Sequence, residues 1–184
     1  MRFHFVLLIL LFLVLMWNDS HSLTIARASL RELSNESELI VRARVTSSHC
    51  QWKDEIHKII YTIANLEVIE TLKGEKADKI TIRQLGGQIG DWGMIISGTP
   101  YLQKDDEGIF FLVKNGDFFE IHSIALGLFR IFMDESGNEK LLNDLGDVEL
   151  LDLSTGREVS PVEKIHTFEV SSFINLIKTY ISEE

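Results

Sequence analysis

The stretch from Tyr61 to Gly87 leaves few folds open to this chain. Residues Tyr61 to Leu72 read as one long strand, Lys73 to Asp78 as a polar connection, and Lys79 to Leu85 as a returning strand that ends in Gly86-Gly87. In the return strand Ile80 and Ile82 alternate with Thr81 and Arg83, the period of a strand with one face on a core and one in water. The outgoing strand does not hold one phase. Tyr61 and Ile63 fall on one parity and Leu66 and Val68 on the other, so burying both pairs requires an extra residue near Ala64-Asn65. A β-bulge there bends the strand sharply, as small closed barrels require.

The rest of the chain supplies further short strands and two helices. Ser29 and Glu32 match a capping box and predict a short helix from Leu30 to about Asn35. Leu39 to Val45 is a strand with Val41, Ala43 and Val45 on one face and Arg42 and Arg44 on the other. A polar connection carrying His49, Cys50, Trp52, Asp54, Glu55 and His57 follows. Gly86 to Pro100 is glycine-rich and reads as a long loop, a type of segment that often carries function. Asp105 to Gly108 is a turn before the strand Ile109 to Val113, and Asn115-Gly116 is a tight turn into Asp117 to Ile121. Leu128 to Met133 turns at Asp134 to Gly137 into Glu139 to Leu142, and Ser154-Thr155-Gly156 joins Val148 to Leu153 with Glu158-Val159. Val170, Phe173, Ile174, Ile177 and Ile181 mark an amphipathic C-terminal helix with Thr167 as its N-cap. It is expected to cover an open end or a face of a small barrel or sandwich.

The N-terminus reads as an export signal. Arg2 is the basic start, Phe5 to Trp17 is unbroken apolar sequence, and Ser20-His21-Ser22 offers small residues for cleavage after Ser22. Thirteen apolar residues followed by Asn18-Asp19 fall short of the roughly 20 that span a bilayer. Residues 1–22 are therefore expected to be removed, leaving 23–184 as a single domain in the periplasm or secreted. The signal takes away one base and one acid, so the net charge stays at −10. That field repels phosphate backbones and anionic membranes, which argues against nucleic-acid and membrane partners. One cysteine, Cys50, permits no internal disulfide, so it is either buried or open to an intermolecular bond.

Glu38 to Val45, Tyr61-Thr62-Ile63 and Leu72-Lys73-Gly74 resemble the start of netrin-like modules, which include the tissue inhibitors of metalloproteinases. The order Ser29-x-x-Glu32-Leu33, Ile40-Val41-x-x-x-Val45, Leu72-Lys73-Gly74 and Gly86-Gly87-x-x-Gly90 is similar to that of a group of small, exported, uncharacterised bacterial proteins. The resemblance implies a mainly β fold: an OB-like small barrel with a short N-terminal helix and a C-terminal amphipathic helix. The inhibitors use an N-terminal, disulfide-bonded cysteine to reach the catalytic zinc. Here the expected first residue is Leu23, so that route is not carried over.

Candidate sites are few. Gln88, Asp91, Trp92 and Met94 in the glycine-rich loop form a recognition surface in which a Trp anchor would dominate the energetics of contact. The loop lacks the Lys-Ser or Lys-Thr of a phosphate loop. His49, Cys50 and His57 carry metal-binding atoms but no four-ligand pattern, and His122 and His166 lie far along the chain, where only the fold could bring them in. Asp105 to Glu107 and Asp134 to Glu139 are acidic turns without the spacing of a calcium loop. No metal or other cofactor is expected. No Gly-x-Ser-x-Gly, His-Glu-x-x-His or Cys-His-Asn order is present, so the chain reads as non-enzymatic. The leading expectation is a module that binds another exported protein, a peptidase being one such partner. The alternatives are an inhibitor of a secreted metallopeptidase acting through a loop, and a hydrolase with an unrecognised pocket of His and carboxylate side chains. The sequence says nothing of oligomeric state.

Overall fold

The structure, a computed structural model, describes residues 24–26, 28–143, 145, 149–152, 157–158 and 167–183. The export signal, its cleavage point, the Ser154-Thr155-Gly156 turn and His166 lie outside the described residues. The strands are β1 (Thr24–Ala26), β2 (Leu39–Asp54), β3 (Ile59–Lys73), β4 (Lys79–Leu85), β5 (Gly87–Ile89), β6 (Trp92–Met94), β7 (Glu107–Asn115), β8 (Phe118–Ile121), β9 (Leu128–Met133), β10 (Glu139–Leu142), β11 (Glu149–Asp152), β12 (Arg157–Glu158) and β13 (Thr167–Glu169). Helix α1 covers Leu30–Glu36 and α2 covers Val170–Ser182.

Five strands close a ring in the order β2-β3-β4-β8-β7 and back to β2. All neighbours are antiparallel except β4 and β8, which meet in parallel at Ile82 and Phe119. This is the order of an OB-like barrel. Beyond it, the N-terminal half of β7 carries β9, then β10 and β13, as an extension of the sheet. β1, β11 and β12 form a small separate sheet.

Two apolar cores follow from the side-chain alternation. Val41, Ala43, Val45, Ala64, Leu66, Ile80, Ile82, Phe110 and Leu112 fill the barrel. Ile40, Ile109, Phe111, Phe129 and Leu141 form the other core with Leu33 of α1 and Val170, Phe173, Ile174 and Ile177 of α2. β7 is therefore buried on both faces, which is why Ile109 to Val113 is unbroken apolar sequence. α2 lies on the outer face of the sheet rather than over a barrel end. Its N-cap is Glu169, without a side-chain bond; Thr167 opens β13 instead, because pairing with β10 holds the chain extended up to Glu169. The capping box at α1 forms as the sequence predicts, with Ser29 and Glu32 bonding each other's backbone.

The strand bulge falls elsewhere than expected. β3 and β4 pair without a slip from Tyr61 to Glu67, and Ala64-Asn65 is regular. The extra residue at this level is Thr46 in β2, opposite the Asn65–Leu66 step, where its hydroxyl donates to the Asn65 carbonyl at 3.0 Å; the unpaired residues of β3 itself are Ile69 and Leu72, nearer its C-terminal end. Tyr61 and Ile63 need no phase change, because the outer face is also covered. The Arg83 guanidinium stacks between Tyr61 and Phe118, 4.8 and 5.0 Å from the ring centroids.

One ionic brace ties the barrel to its extension. Arg42 bonds Glu107 at 2.7 Å and Glu139 at 2.7 Å, and Arg44 also bonds Glu107 at 2.7 Å. Burial alone would raise the Glu107 carboxyl, but the bonds from Arg44 and Arg42 outweigh it and hold the group below the ordinary range. A depressed carboxyl contributes stability that is whole above its unfolded value, about 4.3, and is lost as pH falls through the folded one. Glu107→Gln is therefore expected to flatten the fall in urea midpoint between about pH 5 and pH 3. An unchanged slope would show that other carboxylates carry the acid sensitivity.

Candidate binding site at the hairpin end

β2 and β3 outrun the barrel. β2 pairs with β7 only from Leu39 to Arg44, while its pairing with β3 continues to Asp54. The segment expected to be a connection from His49 onward is thus strand, and the turn is only Glu55 to Lys58. Here His57 donates its backbone N–H to Asp54 at 2.9 Å, and its ring Nδ1 lies 2.6 Å from the second carboxylate oxygen. The backbone bond and then the ring bond hold the Asp54 carboxyl below its ordinary range. Lys58 takes a positive φ of 56°, uncommon outside glycine.

The glycine-rich segment is not wholly irregular. Gly87 to Ile89 and Trp92 to Met94 form a small hairpin, β5–β6, around Gly90-Asp91. Gly86 anchors it, donating to the Ile60 carbonyl at 2.9 Å and accepting from the Thr62 hydroxyl at 2.8 Å. Gly87 then crosses the arm so closely that a Cβ would lie 2.6 Å from both Cys50 Sγ and Thr62 Oγ1. A glycine is required at that crossing.

The hairpin tip reaches the arm's tip. The Lys58 ammonium lies 5.1 Å from the Trp52 ring centroid and 5.0 Å from that of Trp92, within range of cation–π attraction. Two segments separated in sequence are thus joined into one surface, on which Trp92 remains 56% exposed. Of the other residues expected to recognise a partner, Gln88 and Asp91 are exposed and Met94 is half-buried.

Between the arm and the chain from Gly86 to Lys104 lies a cavity of about 620 Å³. Gln88 and Met94 line it, with Ser48, His49 and Cys50 from β2 and Tyr101 to Lys104 opposite. Asp91 and Trp92 stay on the hairpin tip, outside the lining. The chain has 28 acidic residues, yet no Asp or Glu lines this cavity. It therefore holds His49 and Cys50 without the carboxylate that the hydrolase expectation needs. Cys50 is half-buried, its sulfur 3.4 Å from the Thr62 hydroxyl. No local sequence pattern marks the cavity, since its walls come from three separate segments. Lys58, which joins the two Trp residues, had no local pattern either.

Among the described residues no group of three or more His, Cys, Asp or Glu side chains is placed to hold a metal ion. His122 sits apart, 3.2 Å from the Ser37 hydroxyl. In the acidic turns, Asp134 accepts from the backbone of Ser136 and Asn138 at 2.9 Å each, and Asp106 pairs with Arg130 at 2.6 Å. Among the described residues no helix is long and apolar enough to cross a membrane. Comparison with known proteins finds no matching family model and no matching curated protein.

Proposed function

We propose that this chain is an exported, non-enzymatic module of netrin-like descent that binds another exported protein through the hairpin end of its barrel. One observation carries the reading: Trp52 and Trp92 flank Lys58, so the arm and the glycine-rich hairpin present one aromatic, solvent-facing surface beside an apolar cavity. Exposed Trp at such a place is the residue type that dominates interface energetics. Ile95 and Tyr101, 94% and 76% exposed, extend the apolar surface along the same loop.

The test is capture from an extracytoplasmic fraction with residues 23–184, beside a variant whose Gln88 to Ile95 segment is a Gly/Ser linker. The expected result is a protein retained by the first, lost with the second, and bound again when purified and remixed. Retention by both forms would move the binding site off the hairpin. Retention by neither would remove the reading.

A further inference from the structure

We infer that the partner is held by strand addition: an extended peptide segment pairs with the free edge of β2 from Ser47 to Trp52 and places an apolar side chain in the adjoining cavity. The inference rests on the binding-module reading and names how that module binds.

The edge is open by construction. β7 leaves β2 after Arg44, and the Asp105-Asp106 turn takes only Val45, whose N–H and C=O each bond it at 2.8 Å. Among the described residues no strand pairs with β2 beyond that point on this side. Val45 points its side chain into the barrel and its backbone groups to this edge. After the Thr46 bulge the residues with that orientation are Ser48, Cys50 and Trp52, which therefore offer N–H and C=O groups along the edge.

This edge also lacks protection. Sheet edges are ordinarily blunted by charge, proline or bulges. Here the bulges at Thr46 and Lys53 stand outside the segment, and Ser47 to Trp52 keeps one register with β3 throughout. It contains no Lys, Arg, Asp, Glu or Pro. A regular, uncharged edge beside a cavity that Ser48 and Cys50 themselves line is the arrangement that strand addition uses, with backbone bonds giving affinity and a pocket choosing side chains.

The cavity states the peptide's chemistry. Its lining includes Met94, Ile96 and Leu102 and no carboxylate, so the anchoring side chain is apolar rather than basic. Alternate residues of the peptide face away and are small or polar, and the paired stretch is free of proline. A second copy of the chain is a poorer occupant, because each carries a net charge of −10 that opposes approach.

The probe is a library of short random peptides displayed on phage and selected on residues 23–184; the recovered sequence is then synthesised with blocked ends. Selected peptides are expected to alternate apolar and polar residues, and to slow amide exchange at Ser48, Cys50 and Trp52 by about tenfold or more. Ser48→Pro removes one edge donor at a position where an edge strand tolerates proline, and is expected to weaken binding about tenfold with the far-UV spectrum unchanged. Ser48→Lys, which puts a charge on the edge, gives a second variant should the proline disturb the bulge. Binding that leaves these amides unprotected, or that neither variant alters, overturns strand addition while leaving hairpin-dependent capture of a partner intact. Failure to select any peptide overturns it too, and a dimer whose edge amides are already protected assigns the edge to a second copy.

Discussion

Phe173→Ala is expected to cost about 3–5 kcal/mol of folding stability, the range for truncating a buried aromatic, and to lower the melting temperature by roughly 10 °C. Phe173 is 2% exposed. Its ring centroid lies 4.5 Å from that of Phe129, 5.1 Å from Phe168 and 6.5 Å from Phe111. One side chain therefore joins α2 to β7, β9 and β13. Its N-cap makes no side-chain bond and a helix of 13 residues is marginal alone in water, so it depends on the core that Phe173 shares with Val170, Ile174 and Ile177. Leu176, at the edge of the buried face and 38% exposed, supplies the contrast, since Leu176→Ala is expected to stay within about 1 kcal/mol. Urea unfolding of both variants checks the pair. A loss at Phe173 no larger than at Leu176 would mean that the aromatic cluster does not hold the helix.

The elements legible in the sequence are those that a core imposes. Lys79–Leu85, Leu128–Met133 and Glu139–Leu142 have the limits read from alternation and turn residues, and the spacing of Val170, Phe173, Ile174 and Ile177 marks the buried face of α2. Where no core imposes a pattern, the reading stopped short. From Ser47 to Asp54 β2 projects past the barrel, so neither face is uniformly apolar and the strand looks like a polar connection. The parity change in β3 points to a bulge, but Tyr61 and Ile63 are covered on the outer face, so β3 runs through Ala64-Asn65 without one. β5–β6 was hidden because its glycines read only as flexibility. At the site, Trp92 was visible as an exposed anchor. Its pairing with Lys58 and Trp52, and the cavity beside them, depend on how three distant segments pack, which periodicity does not encode.

Gly87→Val is expected to release the β5–β6 hairpin from the arm and to abolish the partner binding proposed above. Two costs coincide at this position. Its φ of +134° is one that a β-branched residue avoids, at about 1–3 kcal/mol. The new Cβ would also meet Cys50 Sγ and Thr62 Oγ1 at 2.6 Å, overpacking that costs about 1–3 kcal/mol more. Neither neighbour yields easily, for both are short side chains on paired strands and the Thr62 hydroxyl is committed to the Gly86 carbonyl. The barrel core lies elsewhere, among Val41, Leu66, Ile82 and Phe110, so the chain escapes the clash by letting go of the hairpin rather than by unfolding. The measurable consequences are altered Trp fluorescence, as Trp92 parts from Lys58, and faster proteolysis within Gly86 to Pro100, with a urea midpoint that moves less than the summed strain. Gly90→Ala is the control. It too has a positive φ, 58°, but no atom lies within 4 Å of its added Cβ, so it is expected to cost about 1 kcal/mol and to keep binding. If both substitutions abolish binding, backbone freedom of the hairpin is what the partner needs. If only Gly87→Val does, the partner requires the hairpin seated on Cys50 and Thr62, with the cavity between them and the loop intact.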